Sequence, residues 1–578
     1  MRHAAVLAAA GALVWALAGA GPAGAVGATT FADLACLQDP SASPTQPCTS
    51  HTGLESAGAV GVSGDGRFVY VGTFTGQLQV FGRDAFGALH DVECLTSDGS
   101  GGACKAAPSL TNQSITDVEV AGSNVYVGTH DGVLAAFARN DQTGELTPLG
   151  CMAAHGRGTG CSDAQRTVTQ TIESTWVAPT PNVVYAGGNG FNSVAITMYD
   201  RDTSGVLSQP SSITDKSYCV TYNGDSDQGP STCTAVPWAF NTLSFAFNAS
   251  ATRAYATANS GATLIALDHT PGDRPLSNAT CTTADPQGAC PDRTAFGLDD
   301  PTDVVVSPST GNVYVSSPSS STVAAFRPDL SEIGCIAEAG EPNANGICSA
   351  QAHGIKGANA LALSPDGKHL YVAGSMGSSV AGLSIGGNGE LSQPSPTCVS
   401  SAAGSGCAAD TALDGGGGGN SQWDLADALA VSKPNTTFTL ATPSLYVAAP
   451  GSSALHTFSI TATATITLPT QTVKCTSLAC QFLLRCSKAH NCSVATTITT
   501  TGIKPRLAAA KAKPVVVASG HFTVPKGKTK KLQARTTKAG RSLLKASRAH
   551  HRKKLRAQLT VKVKGEPGSR VFPVTLRP

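Results

Sequence analysis

The residues best placed to do chemistry in this chain are oxygen donors. Asp117, Asp303 and Asp427, with Asn359, stand at or next to the start of short apolar runs that recur along the sequence. If those starts converge, their oxygens could hold a hard cation such as Ca²⁺ in a structural site. The alternative is that each Asp accepts hydrogen bonds from the backbone of a neighbouring repeat. The 13 histidines show no H-x-H pair, no H-E-x-x-H and no recurrent spacing, so no metal motif is legible. His130, His369 and His456 fall near strands or turns and read as surface or loop residues. A Gly-x-Ser-x-Gly elbow is missing from any strand-to-helix context, and no catalytic residue is assigned.

A second set of residues is cationic. From about Pro469 onward the chain holds 24 of its 40 Lys and Arg and a single acid, Glu566, a net of +23. The preceding residues hold 16 basic and 37 acidic side chains, a net of −21, so the overall +2 hides two oppositely charged parts. Within the basic part, Arg541, Lys545, Arg548, Arg552, Lys553, Lys554 and Arg556 form a run suited to an anionic polymer of the cell wall or a similar polyanion, to docking on the chain's own acidic part, or to a solvated cationic face. The run has no interleaved aromatic residues on which bases could stack, which argues against single-strand nucleic-acid binding.

The elements that must position these residues are repeats. Ser364-Pro365-Asp366-Gly367-Lys368-His369-Leu370-Tyr371-Val372-Ala373 reads as an antiparallel hairpin with an Asp-Gly turn. Its pattern returns with Tyr70, Tyr126, Tyr185, Tyr255, Tyr314 and Tyr446 at a spacing of roughly 55 to 75 residues. Each copy continues into a third apolar run, and several into a fourth that opens with Gly-x-Leu, as at Gly144 to Leu146 and Gly389 to Leu391. Four strands in each of seven units predict an all-β, seven-bladed β-propeller over residues 29–467. The run from Thr29 to Leu37 has no unit of its own, and the last unit lacks an outer strand; the two are expected to pair and close the ring.

Cysteines mark the same period. Cys36/Cys48, Cys94/Cys104, Cys151/Cys161, Cys219/Cys233, Cys281/Cys290, Cys335/Cys348 and Cys398/Cys407 are close pairs, each lying between the last strand of one unit and the first of the next. Once-per-unit recurrence favours local pairing, one staple per blade. Cys475, Cys480, Cys486 and Cys492 follow as two disulfides or four zinc ligands. The disulfide reading is preferred because the tight C-x₂-C spacing of zinc sites is absent.

Residues 1–25 carry a basic start, an apolar run and the small-residue site Ala23-Gly24-Ala25, and read as a secretory signal peptide with no membrane span left after cleavage. Export suits a chain with 18 cysteines. Period-2 alternation in HFTVPKGKTKKLQARTT and LRAQLTVKVKGEPGSRVFPVTL predicts a small β-sandwich over residues 468–578, with Arg541 to Lys554 a helix or long loop. The sequence leaves the oligomeric state and any ligand at the channel mouth open.

The SPDGKHLYVAGS unit resembles those of the YVTN and lactonase-like seven-bladed propellers. CVSSAAGSGCAADTALDG and CTTADPQGACPDRTAFGLDD look like loops of secreted actinobacterial propellers, and TVPKGKTKKLQARTTKAGRSLLK is similar to an Ig-like domain appended to exported proteins of those organisms. The resemblance implies an exported propeller. Lactonase-type members open several inner strands with a Pro-His pair; the matching positions here are Ala59, Asp117, Ser174, Ser244, Asp303, Ala360 and Ala428. The expected function is therefore a binding or scaffold module, secreted or at the cell surface, whose cationic domain contacts a polyanion. The alternative is a lactonase-like hydrolase acting at the channel mouth.

Overall fold

A computed structural model describes residues 29–41, 48–84, 88–100, 104–110, 113–154, 160–164, 171–178, 183–189, 194–210, 215–225, 232–239, 241–271, 273–284, 290, 295–341, 348–393, 397–401, 406–409, 413, 428–432, 443–462, 466–467, 472–486, 492–500, 515–525, 528–549, 555–563 and 570–577. Residues 1–25, read as a signal peptide, lie outside them. Among the described residues no helix is long and apolar enough to cross a membrane.

Seven small sheets follow one another along the chain, each an antiparallel meander of the Tyr-bearing hairpin and its flanking strands. We number them as blades 1 to 7 by their inner strands: Ala57–Val62, Ile115–Ala121, Thr171–Val177, Thr242–Phe247, Val304–Val306, Ala358–Leu363 and Ala428–Val431. Each inner strand touches that of the next blade, and the inner strand of blade 7 touches that of blade 1, so the sheets form a closed ring. Apolar side chains fill the seams between blades rather than a common centre. One cluster joins blades 1 and 2 through Tyr70, Val80, Val127 and Phe137, and another joins blades 7 and 1 through Leu54, Val71, Phe81 and Tyr446. All seven repeat tyrosines are buried in these seams.

The ring closes as the orphan strand predicts. Thr29–Gln38 pairs antiparallel with Ala454–Ala462 as the outer strand of blade 7, running from Thr29 opposite Ala462 to Gln38 opposite Ala454. The first and last blade segments of the chain are thus held in one sheet, leaving no open seam in the array.

The seven local cysteine pairs are all bonded: Cys36–Cys48, Cys94–Cys104, Cys151–Cys161, Cys219–Cys233, Cys281–Cys290, Cys335–Cys348 and Cys398–Cys407. Their placement corrects one expectation. The cysteines do not both lie between strands: Cys36, Cys94, Cys151, Cys219, Cys281, Cys335 and Cys398 sit within the outer strands themselves. Only the second members, Cys48, Cys104, Cys161, Cys233, Cys290, Cys348 and Cys407, lie in the connecting chain. The reason is that the loop doubles back along the strand it has just left.

The staples thereby add a strand that the sequence did not reveal. In blades 1, 2, 3, 5, 6 and 7 the chain emerging from the cysteine loop lies parallel to the outer strand for two or three residues. Cys48, Cys104, Cys161, Cys233 and Cys407 each immediately precede this short strand, whose first residues pair Leu37 with Thr49, Leu95 with Lys105, Met152 with Ser162, Val220 with Thr234 and Val399 with Ala408. Cys348 stands two residues before its strand, which begins where Ala350 faces Ile336. In these six blades the bonded Cα atoms are between 4.6 and 5.0 Å apart, the spacing of neighbouring strands. Blade 4 lacks the parallel strand, and its Cys281–Cys290 pair has Cα atoms 5.9 Å apart.

The basic segment folds around its own core of Val473, Phe482, Ile498, Leu532, Leu559 and Leu576. Its hydrogen bonding runs without a break through seven strands: Thr472–Cys475, Arg570–Arg577, Leu555–Val563, Cys492–Thr500, Val516–Val524, Thr529–Thr536, Ala479–Cys486 and back to the first. The helix Lys538–Ala549 joins two of them. Cys475 bonds Cys480, while the side chains of Cys486 and Cys492 lie outside the described residues.

Candidate functional site at the channel mouth

The inner strands open onto a cavity of about 730 Å³ at the end of the channel where they begin. Its wall includes Asp117, Glu173, Asp303, Asn359, His130 and Asp300, set among small residues such as Ala59, Ser174, Ser244 and Ala360. Of the four residues expected to converge, Asp117, Asp303 and Asn359 do line one cavity. Asp427 lies outside the described residues, next to Ala428, which is on the wall.

A local irregularity repeated in five of the seven blades aims several of these side chains. In blades 1, 2, 3, 4 and 6 the pairing of the inner strand with its neighbour slips near its start, between Ala57 and Ala59, Ile115 and Asp117, Ile172 and Ser174, Thr242 and Phe245, and Ala358 and Ala360. A bulge of this kind leaves an unpaired residue and re-aims its side chain. In blade 3 that residue is Glu173, which enters the cavity wall. Close blade approach sharpens the geometry: Gly128 has room for no Cβ, which would fall 2.6 Å from Cγ2 of Ile172 in the next blade.

The two aspartates clamp neighbouring blades. Asp117 Oδ2 accepts the Thr175 backbone N–H at 2.7 Å and the Thr175 hydroxyl, joining blade 2 to blade 3. Asp303 accepts from the Ser244 hydroxyl of blade 4 and the Leu361 N–H of blade 6, each at 2.7 Å, and from its own neighbour Val304 N–H at 2.8 Å. Asn359 contributes its backbone carbonyl, which takes the hydroxyls of Thr302 at 2.9 Å and Ser316 at 2.8 Å. These are the inter-blade bonds that stood as the alternative to cation ligation. Among the described residues no three His, Cys, Asp or Glu side chains are grouped so as to hold a metal ion.

Two carboxyls that the sequence reading passed over share this region. Glu119 lies two residues beyond Asp117, on the same face of the inner strand of blade 2, and Glu173 faces the cavity from blade 3. Burial pushes Glu119 up to about 8 and Glu173 to about 7, in each case reinforced by the charge of Asp117. Burial also raises Asp117, to about 6, against the opposing pull of its bonds to Thr175, with a smaller push from Asp303. Asp303 is raised by burial and partly restored by its bonds to Ser244 and Leu361. No described residue of the cavity wall is a lysine or arginine. The signal for Glu119 was its i, i+2 relation to Asp117; the signal for Glu173 was a charged residue within an inner strand, displaced one place from the position matched by Ser174.

The cationic run is divided by the fold. Arg541, Lys545 and Arg548 are exposed on the helix and Arg556 on the following strand, while Arg552, Lys553 and Lys554 lie outside the described residues. Arg541 Nη1 donates to Thr536 O at 2.8 Å and Arg548 Nη2 to Cys475 O at 3.2 Å, so both brace the helix against strand ends. His130 lines the cavity, whereas His369 and His456 are buried rather than at the surface as expected, because the strands that carry them pack into blade seams.

No family model matches the sequence, and no curated protein matches it. Among solved structures the chain is similar to a periplasmic gluconolactonase of Pseudomonas aeruginosa, with 12% identity, a TM-score of 0.42, and coverage of 62% of this chain and 89% of that one. It is also similar to a candidate 6-phosphogluconolactonase of Bacteroides fragilis, with 16% identity, a TM-score of 0.41, and coverage of 58% and 82%. A third similarity is to Sqt1 of Saccharomyces cerevisiae, with 10% identity, a TM-score of 0.40, and coverage of 70% and 83%. Overlaps of this size transfer no activity.

Proposed function

We propose that the propeller is a binding module that takes a small ligand with a cationic group at the mouth of its channel, in a protein exported to an oxidising compartment. The observation that carries the reading is Glu173, delivered by a bulge into a cavity whose described wall holds carboxyls and no lysine or arginine. A buried carboxylate without a cation nearby is costly, and a bound cation removes that cost. Binding is favoured over turnover because Asp117 and Asp303 are already engaged in holding blades together. Export is supported by a disulfide at every blade, a pattern that persists in oxidising surroundings. A thermal-shift panel of small amines, neutral sugars and carboxylates tests the reading. Amines should raise the melting temperature of the full chain, and a shift produced only by neutral or anionic compounds would overturn it.

A lactonase-like hydrolase is the second reading, favoured by one feature. A carboxyl held near 7, as Glu173 is, suits general-base activation of water at neutral pH. Hydrolysis of a simple lactone with a pH limb near 7, abolished by Glu173→Gln, would establish it over ligand binding alone.

A further inference from the structure

We infer that one face of the C-terminal domain, distinct from the helical run, is the docking surface for a linear polyanion whose charges are phosphodiesters. Four adjacent strands place Arg577, Lys474, Gln481 and Gln533 in a single row: Arg577 pairs with Lys474, Lys474 with Gln481, and Gln481 with Gln533. Lys531 and Arg535 stand two residues to either side of Gln533 on the last of these strands. The flanking residues Val473, Cys475, Cys480, Phe482, Leu532, Ala534 and Leu576 are core residues, so the row and its two flanking cations face outward. Lys474, Lys531, Arg535 and Arg577 are all exposed.

The spacing suits an extended chain of separated charges. Lys474 and Arg577 are cross-strand neighbours about 5 Å apart at the backbone, and Lys531 and Arg535 are about 13 Å apart along their strand. A phosphodiester offers free oxygens in two directions and so can accept from lysine and arginine on separate strands at once, whereas a carboxylate presents both oxygens in one plane. The neutral glutamines between the cations can hydrogen-bond the linking hydroxyl or ester oxygens. The row and its two flanking cations include no aromatic side chain on which bases could stack. The domain's single acid, Glu566, lies outside the described residues. The helix is less suited to the role, because Arg541 and Arg548 are committed to Thr536 and Cys475.

The test uses the full chain and three polymers of matched length: poly(glycerol phosphate), polygalacturonate and oligothymidylate. A face variant carries Lys474→Gln, Lys531→Gln, Arg535→Gln and Arg577→Gln. A control loses the same charge elsewhere, through the exposed Lys216→Gln, Lys368→Gln, Lys538→Gln and Lys562→Gln. Binding of poly(glycerol phosphate) should fall steeply between about 50 and 200 mM salt. The face variant should flatten the slope of log affinity against log salt by about 3, as expected for four lost contacts to a flexible polyanion, and the control by less than about 1. Equal losses in both variants would reduce the effect to diffuse net charge and overturn the surface. Tighter binding of polygalacturonate would overturn the phosphodiester assignment, as would absence of binding near 50 mM salt. Oligothymidylate, itself a phosphodiester, should bind no more tightly than poly(glycerol phosphate), and tighter binding would overturn the exclusion of base stacking.

Discussion

The Asp303 carboxylate accepts the Leu361 backbone N–H at 2.7 Å, so a side chain of blade 5 holds the inner strand of blade 6. The same group takes the Ser244 hydroxyl of blade 4 at 2.7 Å, and one residue therefore bridges three consecutive blades. Removing it leaves a buried donor on each side. Asp303→Ala should lower the unfolding free energy by about 3 kcal/mol in chemical denaturation, the scale of losing charged hydrogen bonds and leaving donors unmet. A loss below about 0.5 kcal/mol would mean the clamp contributes little.

The carboxyls of Asp117, Glu173 and Glu119 are held up to about 6, 7 and 8, above their values in an unfolded chain. Between the unfolded and folded values the folded protein binds more protons, so stability from these groups falls as pH rises through that window. The melting temperature should decline between about pH 5 and 8.5, and Glu119→Gln should raise it at the upper end while changing it little near pH 5. A melting temperature in the variant that tracks wild type across the range would contradict the burial of Glu119.

Tyr126 donates its hydroxyl to Gly205 O in the next blade at 3.1 Å, and Tyr70 does the same to Gly144 O at 3.2 Å. Tyr126→Phe should cost about 1 kcal/mol, the net worth of one neutral hydrogen bond. Gly205→Ala should cost more, about 2 kcal/mol, because Gly205 has φ +101° and a Cβ there would fall 2.1 Å from the Asn124 amide. Reversal of that order in paired denaturation curves would show the contact to be a bystander.

Closure of the ring rests on Thr29–Gln38 in blade 7. Deleting residues 29–35 keeps Cys36 and its bond to Cys48 but strips most of the outer strand. The deletion should lower the melting temperature of the whole propeller rather than of one blade. An unchanged transition would place closure elsewhere.

Much of the fold was legible because its causes are local. The Tyr-bearing hairpin, the Asp-Gly turn and the cysteine spacing each act within a few residues, and they repeat. The orphan strand at Thr29 was legible as a missing complement. The parallel strand after six of the seven staples was not, since pairings such as Leu95 with Lys105 involve only two residues and carry no alternation. Asp117 and Asp303 were found at the channel mouth because a charge at an inner-strand start stands out, but their clamping role depends on partners such as Thr175 and Leu361 that only the ring brings near. Glu173 was missed because a bulge shifts the phase of the strand by one residue, and period-2 reasoning cannot anticipate it.

The central claim is that Glu173 gives the channel mouth its preference for a cation. The direct measurement is a calorimetric titration of spermidine into the full chain and into Glu173→Gln, at low salt and about pH 8, where a carboxyl near 7 is mostly ionised. Wild type should bind, should bind more weakly as pH falls below about 7, and should lose at least about tenfold in affinity on substitution. Equal affinity in the two proteins, or binding indifferent to pH, would contradict the account.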